Sequence, residues 1–234
     1  MPSIAENIQR LRDRVRELED RYQRESGSVK LLAVSKTHPV ENILQAMSAG
    51  QKDFGENYLQ EALDKIQAIG RTEVTWHFIG PIQSNKTRDI AEHFDWVHSV
   101  DRLKIARRLS EQRPDSLPPL NICVQVNISG ESSKSGIAPE DCEAFCEAVA
   151  HLPRLKLRGL MAIPAPSESL AQQRAVYRPL AEIMQHLAQQ HESMDTLSIG
   201  MSDDHEAAIA EGGTMIRLGT AIFGPRPPRV PERD

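Results

Sequence analysis

The chemistry available to this sequence sits in a few short stretches. The run Leu31-Leu32-Ala33-Val34-Ser35-Lys36-Thr37-His38-Pro39 closes an apolar segment on a lysine. A short apolar run ended by a turn signal suits a strand buried on both faces. Pro39 has no N–H for a ladder, so the strand stops before it. Alternation along the strand puts Lys36 on the face of Val34 and Leu32. A lysine there either snorkels to water on a buried stem or stands at the rim of an apolar interior. In the second case, burial near a cation favours the neutral, nucleophilic amine.

Two later stretches, Ile199-Gly200-Met201-Ser202-Asp203-Asp204 and Arg217-Leu218-Gly219-Thr220, combine hydroxyls with glycines where a strand gives way to a turn or helix. That combination binds an anion through backbone N–H groups. Ser202 reads equally as a helix N-cap, with Asp203 and Asp204 favouring the helix dipole. Arg217 is a site residue or half of a structural ion pair. Asn57 is a site residue or an N-cap.

The elements that must position these residues follow from periodicity. An apolar stripe at Ile4, Ile8, Leu11, Val15, Leu18 and Tyr22 predicts a helix over 3–25, ended by Gly27. The stripe lasts only about three heptads, so packing on its own domain is favoured over a coiled coil. Strands are then predicted near 31–36, 53–57, 76–80, 96–100, 121–128, 155–163, 196–200 and 214–219, with helices between them. Residues 113–119 and 129–136 read as loops, and the proline- and charge-rich tail 225–234 as frayed. One helix followed by eight alternating strands and helices predicts a single domain over 1–234, a (β/α)8 TIM-type barrel with an extra N-terminal helix. An open doubly wound sheet competes, but it prefers a GxGxxG after the first strand, and none is present.

Composition narrows the function. The chain has 234 residues, 39% hydrophobic and 26% charged, with a net charge of −5. Acids and bases are interleaved, so no basic face argues for nucleic acid. No apolar run reaches the ~20 residues of a membrane span, and the start has no signal-peptide pattern. Cys123, Cys142 and Cys146 form no metal or redox motif, which fits a reducing cytoplasm.

In a closed barrel strand eight pairs with strand one. An anion above strands seven and eight then lies beside Lys36, with Arg217 sharing the inward face. A phosphorylated aldehyde fits this arrangement, and pyridoxal 5′-phosphate (PLP) supplies both groups. An arginine at the pyridine nitrogen would keep that nitrogen unprotonated and weaken the ring as an electron sink.

At these residues the sequence resembles the PLP homeostasis proteins of the YggS/PROSC type. The resemblance is carried by Ala33-Val34-Ser35-Lys36-Thr37, Phe54-Gly55-Glu56-Asn57-Tyr58, Trp76 to Lys86, Gly159-Leu160-Met161, Ser198 to Asp203 and Arg217 to Gly224. It implies a single barrel like the N-terminal domain of alanine racemase, with PLP as a Schiff base on Lys36. It places Ser202, Gly219 and Thr220 at the phosphate and Arg217 near the ring nitrogen. It suggests Lys134, otherwise a solvated loop lysine, as a secondary lysine in PLP exchange. The implied partners are PLP-dependent apoenzymes and PLP-synthesising enzymes.

Three functions compete: a PLP carrier, an amino-acid racemase and a Schiff-base aldolase. A racemase needs acid/base groups on both faces of its substrate. Tyr22, Tyr58 and Tyr177 give no obvious opposing base and the chain has no second domain, so the carrier reading, as a monomer without robust turnover, is favoured.

Overall fold

The computed structural model describes residues 2–71, 73–130 and 135–225. Helix α1 (Ile4–Arg21) opens the chain, followed by β1 (Lys30–Val34), α2 (Val40–Ser48), β2 (Asp53–Glu56), α3 (Leu59–Ile69), β3 (Thr75–Phe78), α4 (Thr87–His93), β4 (Trp96–Val100) and α5 (Leu103–Gln112). Then come β5 (Leu120–Gln125), α6 (Cys142–Ala150), β6 (Leu155–Met161), α7 (Leu170–Gln190), β7 (Thr196–Ser198), α8 (His205–Ala210), β8 (Met215–Leu218) and α9 (Thr220–Phe223). The strands pair in parallel in chain order and β8 closes on β1, with Leu32 opposite Arg217. This is a (β/α)8 barrel with an extra N-terminal helix.

Burial separates two interiors. Leu31, Ala33, Ile122 and Val124 belong to the large apolar layer between strands and helices. Leu32, Val34, Ile79 and Met215 form one small apolar group inside the barrel, and Trp96, Cys123 and Met161 form another. The alternation that places Lys36 on the inward side is therefore the observed one. The apolar stripe of α1, with Ile8 and Leu18 fully buried, packs on α2, α8 and α9 of its own chain.

Several boundaries differ from expectation. Helix α1 ends at Arg21 instead of near residue 25. Gln23 takes a left-handed φ of 53°, and the N–H groups of Arg24 and Gln23 return to the carbonyls of Glu19 and Asp20. That is a Schellman turn with glutamine where glycine is usual. The buried Glu19 carboxylate then accepts from the N–H groups of Gly27 and Val29 and steers the chain into β1. Strand β1 ends at Val34, so Lys36 lies in the following turn and is not the last strand residue. Strand β5 stops at Gln125, with only an isolated bridge from Val126 to Ile137 beyond it. Strands β6, β7 and β8 are likewise shorter than their apolar runs. Of the tail, only Pro225 falls among the described residues. Among those residues, no helix is long and apolar enough to cross a membrane.

Candidate functional site

At the C-terminal ends of the strands a cavity of about 160 Å³ is lined by Lys36, Asn57, Ser202, Arg217, Gly219 and Thr220, together with Val34, His38, Ile79, Ile163 and Met201. Six of the residues singled out in the sequence thus meet at one place. The seventh, Lys134, lies outside the described residues. A larger depression of about 700 Å³ lies at the opposite end of the barrel, beside Arg71, Asp95 and Arg113. Three of its charged side chains are engaged locally. Arg71 pairs with Asp95 at 2.6 Å, and Arg113 donates to the carbonyls of Ala91, Phe94 and Pro118.

Lys36 is presented by a braced turn. The Ser35 N–H continues the sheet by donating to the Gly55 carbonyl at 3.0 Å. Thr37 then adopts a left-handed φ of 65°, an uncommon conformation for a β-branched residue. A buried ion cluster holds this turn. Lys65 Nζ donates to the Ser35 carbonyl at 2.8 Å, to Glu56 Oε1 at 2.8 Å and to Glu61 Oε1 at 2.5 Å. Ser35 Oγ donates to Glu56 Oε1 at 2.6 Å, and the Thr37 N–H donates to Glu61 Oε1 at 2.6 Å. Both neighbours of Lys36 are therefore tied to one cluster of three charged side chains, Ser35 to Lys65 and Glu56 and Thr37 to Glu61. Burial pushes the Glu56 carboxyl above its usual range, while the charge and hydrogen bond of Lys65 oppose that rise.

Asn57 follows β2 but does not cap α3. The N-cap is Tyr58, with no side-chain cap bond. The Asn57 Oδ1 is buried without a hydrogen-bond partner, an arrangement that suits a ligand donor. Gly80 allows this placement, because a Cβ there would come 2.2 Å from the Asn57 carbonyl oxygen. Gly80→Ala is expected to shift Asn57 and lower stability by about 1–3 kcal/mol, read from urea unfolding. Unchanged stability would show that the two segments separate freely.

Ser202 is exposed and lies two residues ahead of the true N-cap of α8, Asp204. The capping alternative for Ser202 is therefore excluded. The Asp204 carboxylate accepts from the Met201 N–H at 2.6 Å and from Tyr177 Oη at 2.7 Å. Asp203 does not line the cavity. Neither Asp203 nor Asp204 is thus presented to the cavity. In α9 the N–H groups of Ile222 and Phe223 both return to the Gly219 carbonyl at 2.9 Å. Those of Thr220 and Ala221 precede the first intrahelical bond. Gly219 lies close against β1, where a Cβ would be 3.1 Å from the Val34 carbonyl oxygen.

Arg217 is buried at 5% exposure, and its hydrogen-bond partners among the described residues are carbonyls and a hydroxyl. Its Nη1 donates to the Ser198 carbonyl at 2.6 Å and to Ser198 Oγ at 2.8 Å, and its Nη2 donates to the Ala162 carbonyl at 2.9 Å. Burial lowers the guanidinium from its ordinary value, but arginine remains a cation and a pure donor. Sequence reasoning missed His38, whose ring packs 4.9 Å from that of Phe223. It also missed the Glu56–Lys65–Glu61 cluster and the polar residues behind Arg217. The spacing of Glu61 and Lys65, one helical turn apart, was the only legible signal for the cluster.

The groups around the cavity suit a phosphorylated aldehyde: an amine on a braced turn, an unpaired buried amide oxygen, N–H groups at a helix start and hydroxyls without acids, and a donor-only cation. A lysine-bearing barrel of this design defines a class, and the family model described as alanine racemase, N-terminal domain, matches residues 6–227. The chain is 60% identical over 226 residues to the pyridoxal phosphate homeostasis protein of Pseudomonas aeruginosa, covering 97% of each chain. It is 54% identical over 229 residues to the protein of that name from Escherichia coli K12, covering 97% of this chain and 98% of the other. The PipY structure of Synechococcus elongatus with PLP bound superposes with a TM-score of 0.81 at 37% identity, over 95% of this chain and all of PipY. Alanine racemase from Corynebacterium glutamicum, at 18% identity and a TM-score of 0.65, shares the fold, with this chain covering 62% of it. The chain belongs to the family of pyridoxal phosphate homeostasis proteins.

Proposed function

We propose that this chain binds PLP in the Lys36 cavity as a reversible Schiff base and buffers or delivers it within the cytoplasm, as a monomer without robust turnover. The observation that carries the reading is the meeting of Lys36, Arg217 and the two loops after β7 and β8 in one cavity. Ser202, Gly219 and Thr220 would hold the phosphate. Asn57 and Arg217 would face the ring, with Arg217 donating to its nitrogen. PLP supplies an aldehyde whose condensation with the Lys36 amine releases water and reverses by hydrolysis or by attack of another amine. A donor-only arginine favours the unprotonated ring nitrogen and so disfavours carbanion chemistry.

The tyrosines support carriage over racemisation. Tyr22 Oη is taken by Glu206 at 3.0 Å and Tyr177 Oη by Asp204 at 2.7 Å. Tyr58 is exposed and does not line the cavity. No phenol among the described residues therefore faces Lys36. The purified chain is expected to take up PLP with a visible chromophore, and to restore activity to a PLP-dependent apoenzyme when mixed with it. Incubated with L-amino acids in deuterated water, the loaded chain is expected to show no rapid Cα exchange. A colourless chain that takes up no PLP would overturn binding, and rapid exchange with D-isomer formation would establish a racemase.

A further inference from the structure

Behind Arg217 a line of polar side chains crosses the barrel. Arg217 Nη1 reaches Ser198 Oγ at 2.8 Å, Ser198 Oγ lies 2.8 Å from His98 Nδ1, His98 Nε2 lies 2.9 Å from His77 Nδ1, and His77 Nε2 lies 3.0 Å from Asp53 Oδ1. Ser198, His98 and His77 are fully buried. Asp53 is half-buried at the start of β2, at the end of the barrel away from Lys36, where it borders a solvent-open groove with Lys30 and Lys52. The line runs through five strands, with one inner apolar group on β1, β8 and the exit of β3 and the other on β4, β5 and β6.

The Asp53 end of this line sets its proton order. The Asp53 carboxylate only accepts, so His77 carries its proton on Nε2 and accepts at Nδ1 from His98 Nε2–H. His98 Nδ1 then accepts the hydroxyl proton of Ser198, whose oxygen accepts from Arg217. The Arg217 end fits this order without imposing it, because a serine oxygen can accept two hydrogen bonds. Neither ring needs a second proton, and every bond has one donor. Burial lowers the affinity of both rings for a proton, most strongly at His98, which also faces His77 and Arg217. The charged groups acting on His77 are Asp53, which bonds it, with Asp95 and Lys30 at longer range. Trp96 stacks on His77 at 5.3 Å and carries Arg158 over its own ring at 4.5 Å. Burial opposes charge on Asp53, but the hydrogen bond from His77, with the charges of Lys30 and Lys52, holds its carboxyl below the usual range. A chain ending on a guanidinium does not conduct a proton onward, and its bonds polarise one another in one direction.

We infer that Ser198, His98, His77 and Asp53 are positioning residues for Arg217, holding its Nη1 and locking the barrel interior into one proton arrangement set from the opposite end. The inference rests on the reading of Arg217 as the group facing the PLP ring, and it adds that this face is fixed by residues that never touch the cofactor. Ser198→Ala removes the bond between the guanidinium and the line while leaving the Ser198 carbonyl in place.

The test has two parts. In the PLP-free chain, nitrogen NMR of labelled histidines is expected to show His77 and His98 as single neutral Nε2–H tautomers from pH 8 to pH 6. Asp53→Leu is expected to convert both to mixed tautomers. An Nδ1–H form in the wild type, ordinary titration of either ring near pH 6.5, or unmixed tautomers in Asp53→Leu would overturn the line and leave PLP binding by Lys36 untouched. The second part is a double-mutant cycle on the PLP dissociation constant. Ser198→Ala is expected to weaken binding about fivefold in the wild type and less than about twofold in Arg217→Met. Equal factors in the two backgrounds would show a merely structural serine. An Arg217→Met chain that binds PLP as tightly as the wild type would instead refute the placement of Arg217, whatever the tautomers show.

Discussion

Borohydride treatment of the PLP-loaded chain is expected to fix one PLP on Lys36, and Lys36→Ala is expected to abolish the adduct while weakening PLP binding about 100-fold, roughly 2.7 kcal/mol. The size follows from what remains in the variant. The loops after β7 and β8 still offer N–H groups and hydroxyls, and Arg217 still offers its guanidinium, so noncovalent binding persists. What is lost is the covalent bond to an amine already placed at the rim of the cavity by a turn braced on both sides. Lys65 does not substitute, because its ammonium is buried and bonded to three oxygens. Peptide mapping of the reduced protein identifies the modified lysine, and fluorescence titration gives the affinity. An adduct of equal yield on another lysine, Lys134 included, would remove Lys36 from the role. An unchanged dissociation constant would do the same.

Much of this arrangement was legible because it depends on order and alternation. Eight strand–helix alternations fix the neighbours of β1, so Lys36, Ser202, Arg217, Gly219 and Thr220 converge from topology alone. The expected strand ends were too long wherever an apolar run continues into a turn that leaves the ladder, as after Val34 and after Gln125. The end of α1 escaped because its Schellman turn uses Gln23 in place of glycine. The polar line from Asp53 to Arg217 was hidden for a different reason. Its members lie on five strands, and His98 and Ser198 are 100 residues apart. A histidine within a strand reveals nothing of a partner set by barrel closure. The burial of Glu56 was equally silent, since its carboxylate follows a glycine in a short strand and its cation comes from the next helix.

That cluster yields the largest expected effect on stability. Lys65→Met is expected to cost about 3–5 kcal/mol, the usual loss when one partner of a buried ion pair is removed. The cost has a defined pH dependence. Without Lys65 the charged form of Glu56 loses the opposing charge that restrains its upward shift. A carboxyl whose folded pKa is raised holds its proton longer in the native state than in the unfolded chain. Stability therefore falls as pH rises from the ordinary carboxyl value of about 4.5 through the raised folded value. The penalty in Lys65→Met is accordingly smallest near pH 4.5 and largest at neutral pH and above, as urea unfolding at several pH values would read. A penalty independent of pH would mean that removing Lys65 leaves the proton affinity of Glu56 in the native state unchanged.

Replacing both partners, as Glu56→Leu with Lys65→Met, removes the stranded charge and is expected to return most of the lost stability. It does not return the bonds from Lys65 to the Ser35 carbonyl or from Ser35 Oγ to Glu56, which hold the turn at Lys36. The double variant is therefore expected to fold nearly as well as the wild type yet bind PLP about tenfold more weakly, because ordering the Lys36 turn then falls to the binding step. Full affinity in a stable double variant would show that the strained conformation at Thr37 persists without its ionic support.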